Sequence, residues 1–187
     1  MKISTINYRE TIFEHHELNK ITGVPTYKNL HLLHNEINAN AMEVHSNLGD
    51  RQHGYLGLVL NLKAYELLTN TPFVSQVHKG NIIIPIAATP HSQEELKRQY
   101  DKNLQVFHKT RGMEQALIQK LLLTVEARYI TAMSNRTTDQ FIGTLFMLTQ
   151  YLIVTYRKIS PSQLINIEQN TTSMQYDPQT LIDTVFN

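Results

Sequence analysis

Apolar residues recur at helical spacing along much of the chain, and turn-forming residues separate these stretches. One stripe advances in steps of three and four: Leu30, Leu33, Ile37, Ala41 and Val44. Side chains at such steps share one face of an α-helix. The stripe therefore predicts an amphipathic helix from Asn29 to about His45, and the polar, glycine-containing segment 46–50 ends it.

The segment before this helix has a different character. Residues 1–28 are polar and mixed, and Gly23-Val24-Pro25 is a turn or linker signal. We interpret residues 1–28 as an N-terminal arm or linker, with a short helix through Phe13 and Leu18.

Glycine and proline dominate the middle of the chain. The apolar run Gly57-Leu58-Val59-Leu60 predicts a buried connector or a brief strand. Asn61 is a favourable N-cap for a short helix through Leu62, Tyr65 and Leu68. Residues 72–90 contain three prolines and read as extended, with Pro85 confining any strand there to a sheet edge.

The second half of the chain predicts further helices. Ser92 and Glu95 form a capping-box pattern ahead of a stripe that ends where Arg111-Gly112 breaks the helix. The next helix starts at Met113, and a third opens at Thr137-Thr138-Asp139. The apolar positions of these three helices are Leu96, Tyr100, Leu104 and Phe107; then Ala116, Leu117, Leu121, Val125 and Ile130; then Phe141, Leu145, Phe146, Leu148 and Leu152.

Two more helices are predicted near the end, because Ser160-Pro161 and Asp177-Pro178 each place a proline directly after an N-cap residue. The fold class is all-α, with a minor β or extended segment around residues 55–88.

Composition narrows the classes of function. The 187 residues carry 17 basic and 16 acidic side chains, so no strongly basic block favours nucleic-acid binding by this chain alone. With no Cys, disulfides and thiolate zinc sites are excluded. No apolar run approaches the roughly 20 residues of a membrane span, and residues 1–5 do not resemble a signal peptide. We expect an intracellular protein without membrane association.

Candidate chemistry is sparse. His16-Glu17 lacks the second histidine of a zincin helix, because Leu18, Asn19 and Lys20 follow. His31 and His34 are three apart and would need a third ligand to form a metal site. The remaining histidines of the first half, His45, His53 and His78, flank the glycine-rich connector and would form a pH-sensitive cluster if the fold joins them. We predict no catalytic, cofactor-binding or metal-binding residues, and hence not an enzyme.

Five stretches, in order, resemble the Gag capsid region of copia-type LTR retrotransposons. Each is weak alone, and together they extend from about residue 30 to the end. Tyr156 is followed by Arg157-Lys158 where the family pattern has a glycine, and no zinc knuckle or protease motif follows. The stretches are Glu36–Leu60, Thr71–Val74 with Gly80–Pro85, Gly112–Gln119, Asn135–Thr138 with Gln150–Tyr156, and Ser160–Leu164 with Tyr176–Pro178.

The resemblance implies a multi-helix bundle like a Gag capsid N-terminal domain, spanning residues 29–176. It implies a structural protein that self-associates into a particle shell around retroelement RNA, with the RNA bound through segments outside this chain. The partner is then the chain itself, no small-molecule substrate is needed, and the location is the cytoplasm, in virus-like particles. The alternative is a domesticated Gag-derived module that acts as a protein-binding adaptor.

Residues 177–187 read as the start of a following helix or second domain, cut short. Their apolar residues define a face with nothing yet to cover it. In the family, a second helical domain joins subunits, so we expect the fragment itself to associate weakly. The candidate assembly interface is Leu181, Ile182, Val185 and Phe186.

Overall fold

The computed structural model describes residues 13–87 and 89–156. Within these ranges the backbone forms helices and turns, and its only β-type pairings are two isolated bridges, Ile21 with Val125 and Ser134 with Phe141. The all-α prediction is confirmed for this part of the chain. The four α-helices are α1 (Tyr27–Glu43), α2 (Leu62–Thr69), α3 (Pro90–Thr124) and α4 (Leu145–Tyr156), and short 3₁₀ helices cover Leu56–Leu58, Ala127–Tyr129 and Thr131–Met133.

Helix α1 matches its prediction closely. Thr26 caps it in a reciprocal capping box with Asn29, which satisfies two otherwise free backbone donors. The predicted stripe faces inward: Leu30, Leu33, Ile37 and Ala41 are all buried.

The segment before α1 contains no helix between residues 13 and 26, so the predicted short helix is wrong. Its apolar side chains Phe13, Leu18 and Ile21 are nevertheless buried in the core. The buried Asn40 side chain holds this irregular backbone in place. Its amide oxygen accepts a 2.7 Å hydrogen bond from the His15 amide, and its amide nitrogen donates a 3.1 Å hydrogen bond to the His15 carbonyl. The domain boundary at residue 28 stays an interpretation of the sequence.

The break predicted at Arg111-Gly112 is also wrong, because both residues lie inside α3, which is one continuous helix of 35 residues. A glycine inside a helix costs about 1 kcal/mol relative to alanine. The fully buried Met113, Leu117 and Leu121 outweigh that preference through their packing.

The start of α3 lies three residues earlier than predicted. The N-cap is Thr89, whose hydroxyl accepts a 3.3 Å hydrogen bond from the Ser92 amide, and Pro90 takes the first helical position. Ser92 therefore lies inside the helix.

The two halves of α3 have different surroundings. Its buried residues begin at Thr110, so residues 90–109 extend beyond the core. The extended segment after α2 lies along this half: the Tyr100 hydroxyl donates a 2.7 Å hydrogen bond to the Gly80 carbonyl, and the rings of His78 and Phe107 are 5.2 Å apart.

Helix α4 begins at Leu145, later than the predicted start at Thr137. Residues 134–141 instead form a closed turn, in which the Asn135 amide donates to the Gln140 carbonyl at 2.8 Å. Thr144 provides the cap, since its hydroxyl accepts from the Met147 amide at 3.2 Å.

Helices α1, α4 and the second half of α3 pack against one another and enclose the core. No helix in the described part of the chain is long and apolar enough to cross a membrane. The helices predicted from Ser160-Pro161 and Asp177-Pro178 lie outside the described residues.

Candidate functional site

Helix α2 exposes all three of its leucines to solvent. Its only buried residue is Tyr65, whereas Leu62 and Leu67 are 65% and 84% exposed and Leu68 is 54% exposed. The prediction of a helix capped by Asn61 is confirmed, with the Asn61 side chain accepting from the Ala64 amide at 2.7 Å. The sequence grouped Leu62, Tyr65 and Leu68 as one apolar set, but only Tyr65 faces inward.

Tyr65 anchors α2 through its hydroxyl and its ring. The hydroxyl donates a 2.9 Å hydrogen bond to the Asp50 carboxylate, and the ring meets Phe73 edge to face at 5.4 Å between centroids. Two glycines make room for this arrangement. A Cβ at Gly49, which has a positive φ of 61°, would overlap the Tyr65 hydroxyl, and one at Gly57 would overlap the Phe73 ring.

Asp50 collects four hydrogen bonds at this anchor. Besides Tyr65, it accepts from the amides of Gln52 and His53 at 3.2 Å each, and the His53 Nδ1 lies 2.5 Å from its second carboxylate oxygen. Burial alone would raise the pKa of Asp50, but the hydrogen bonds from His53, Tyr65 and Gln52 outweigh it and lower the pKa to about 2. Burial raises the pKa of Tyr65. The carboxylate therefore stays ionised and fixes the inner side of α2.

With its inner side fixed, α2 forms one wall of a groove, which we call the α2 groove. The groove has a volume of about 960 Å³, and its lining is mostly apolar. Leu62 and Leu67 line it from α2, Val77 from the extended segment, Phe107 from α3 and Phe146 from α4.

Charged side chains surround this apolar lining. Lys63 on α2 and Arg111 on α3 both border the groove, and both are exposed. Glu114 lies at the groove floor, where its carboxylate accepts from the Leu145 amide at 3.2 Å and lies 3.5 Å from the Arg111 guanidinium. A carboxylate at this position complements the positive N-terminus of α4. Glu114 is thus a structural support that also lies beside Arg111, and Lys63 is a second exposed basic side chain at the groove.

The structure gives the histidines of the first half ordinary roles. His15 and His16 offer their backbone carbonyls to the Lys120 ammonium, and burial lowers the pKa of Lys120. Burial, followed by repulsion from His31, lowers the pKa of His34, which lies 3.3 Å from the Asn38 amide nitrogen.

The three histidines around the connector have different neighbours. His45 is exposed, His53 contacts Asp50, and His78 contacts Phe107 and His108. Within residues 13–87 and 89–156, no group of three or more His, Cys, Asp or Glu side chains is arranged to hold a metal ion. The predicted interface residues Leu181, Ile182, Val185 and Phe186 lie outside the described residues.

The α2 groove is not among the features predicted from the sequence. One signal was available, because the eight residues of α2 include three leucines and a tyrosine, more apolar side chains than one narrow helix face can bury. Which of them face outward depends on Asp50 and Phe73, which no local pattern connects to Tyr65. Comparison with models of protein families, with curated proteins and with solved structures found no match to the chain.

Proposed function

We propose that this protein is structural and works by associating with further copies of itself, as a subunit of a Gag-like capsid shell. The observation that carries the proposal is the α2 groove with its exposed leucines. Exposed apolar side chains that line a groove are common at sites where proteins associate. Leu62, Leu67 and Val77 line this groove, and each is at least 65% exposed.

The resemblance to copia-type Gag indicates that the expected assembly is a capsid shell. Its stretch Glu36–Leu60 contains Gly49 and Gly57, the two glycines that allow Tyr65 and Phe73 to anchor α2. Residues that carry the resemblance thus support the surface that the proposal uses. A shell needs many modest contacts repeated by symmetry, and no single contact has to be strong.

Electron microscopy tests the proposal. The sample is the protein purified from the cells that naturally express it and then concentrated. We expect closed particles or ordered arrays of repeated subunits. A protein that stays monomeric at every concentration and forms a stable complex with a different cellular protein would contradict the capsid proposal and favour the adaptor alternative.

A further inference from the structure

We propose that the α2 groove is a two-fold interface between two copies of this chain, in which Leu67 of each copy enters the groove of the other. The inference deepens the proposed function and rests on it. It names the surface, the partner and the register of the contact.

The first argument is apolar self-complementarity. Leu67 is 84% exposed and stands on the wall of a groove whose apolar lining includes Phe107 and Phe146. A two-fold axis beside α2 places the Leu67 of each copy over the groove of the other. Both protruding side chains and both grooves then leave water together, as in an isologous interface.

The second argument is charge. Lys63 and Glu66 are both exposed on α2. Two α2 helices can pack antiparallel about a two-fold axis that passes between Ala64 and Tyr65. Each residue on one side of the axis then faces the residue of the second copy that lies equally far on the other side. Lys63 then faces Glu66 of the second copy, and Leu62 faces Leu67 of the second copy. One register therefore pairs opposite charges and pairs apolar side chains.

This coincidence favours a second copy over an unrelated helix. A foreign partner would have to supply an acidic group for Lys63, a basic group for Glu66 and an apolar side chain for the groove. Helix α2 supplies all three itself. The α2 groove, with a volume of about 960 Å³, is large enough to hold several side chains of the second copy.

The interface built on this short helix is small. Helix α2 has eight residues and a length of about 12 Å. Interfaces below about 1,200 Å² are typical of weak, reversible association, as a lattice of repeated contacts requires. The dimer should therefore dissociate on dilution.

Sedimentation equilibrium of the 187-residue chain and its charge variants tests the register. Lys63→Glu places two acidic groups opposite each other, and Glu66→Lys places two basic groups opposite each other. Each single variant should weaken dimerisation at least about tenfold, because like charges across an interface repel. The double variant Lys63→Glu/Glu66→Lys restores opposite pairs and should return the dissociation constant to within about threefold of the original.

Leucine variants test the groove independently of charge. Leu67→Ala should weaken dimerisation at least about tenfold. Leu123→Ala is the matched control, because Leu123 is also an exposed leucine, at 79%, and does not line the groove. It should leave the dissociation constant unchanged. Circular dichroism melting of every variant shows whether the fold is retained. If a charge variant unfolds α2, Leu67→Ala still tests the interface, because alanine keeps the helix propensity of this segment.

The outcomes separate this inference from the proposed function. If the wild-type chain dimerises but Leu67→Ala and both single charge variants behave as wild type, the α2 interface is wrong and self-association stands on another surface. If the single charge variants weaken dimerisation and the double variant does not recover it, the register is wrong. If the wild-type chain remains a monomer at about 1 mM, where contacts worth about 4 kcal/mol would be half formed, the α2 interface is wrong, and electron microscopy of particles decides the proposed function separately.

Discussion

The hydroxyl of Tyr65 donates a 2.9 Å hydrogen bond to the carboxylate of Asp50 and thereby joins α2 to the connector that follows α1. Tyr65 is fully buried and Asp50 is partly buried, so the bond lies at the edge of the core. This hydrogen bond and the contact between the rings of Tyr65 and Phe73 together hold α2, and the groove beside it, in position.

Tyr65→Phe should destabilise the protein by about 1–3 kcal/mol, because it leaves the Asp50 carboxylate without one of its partners. Tyr100→Phe is the control, since it removes a hydrogen bond of similar length, 2.7 Å to the Gly80 carbonyl, from an exposed site. Its cost should stay below about 1 kcal/mol. Urea unfolding of both variants measures the difference, and equal costs would show that Tyr65 is no special anchor.

The same carboxylate predicts a dependence of stability on pH. Its pKa is about 2 in the folded protein, below the ordinary value of 3.8, so its ionised form stabilises the fold above about pH 4. That contribution is lost as the pH falls from about 4 toward 2. Asp50→Asn should therefore lower the free energy of unfolding at pH 6 and bring the variant and wild type closer together at pH 2.

Glu95 provides a comparison for this pH effect. Hydrogen bonds from Arg98 and then Gln99 lower its pKa to about 2 as well, but the pair is exposed. Salt screens exposed ion pairs more than partly buried ones. In about 1 M NaCl, we expect Glu95→Gln to have no effect on stability, while Asp50→Asn still does. Loss of the Asp50 effect in salt would show that its hydrogen-bond network is open to solvent.

Truncation of core leucines should separate the true core from the α2 face. Leu33 and Leu121 are buried in the helical core, and changing either to Ala should cost about 2–5 kcal/mol. Leu67→Ala, at an exposed site, should cost less than about 0.5 kcal/mol. Chemical unfolding measures all three. Small costs at Leu33 and Leu121 would contradict the packing of α1 against α3.

The most accurate predictions from the sequence concern elements that are stabilised by residues close together in the chain. Helix α1 combines a regular apolar stripe with a capping box, so its position follows from residues close together in the chain. Helix α3 was predicted as two helices because Gly112 is a poor helix former, and the long-range packing of Met113 and Leu117 overrides that local preference.

The groove depends on contacts that a local pattern does not contain. The hydrogen bond between Asp50 and Tyr65 spans 15 residues and, together with the ring contact between Tyr65 and Phe73, holds one side of α2 inward. Without that bond, the four apolar residues of α2 suggest a core helix as readily as an exposed one. The exposed face therefore became apparent only once the fold was known.

RNA binding by the chain alone should be weak. Its 17 basic and 16 acidic residues nearly balance, and phosphate contacts supply most of the sequence-independent affinity of nucleic-acid-binding proteins. Fluorescence anisotropy with a labelled RNA should show binding that falls steeply with salt. Nanomolar, sequence-specific binding at physiological salt would mean that residues 1–187 recognise RNA themselves.

We propose that this chain associates with itself, weakly and reversibly, and static light scattering over a dilution series tests that proposal. We expect a weight-average mass of 21.6 kDa in dilute solution that rises toward twice that value as the concentration increases, and returns on dilution. A mass that stays at 21.6 kDa up to the highest concentration would contradict self-association through the described surface.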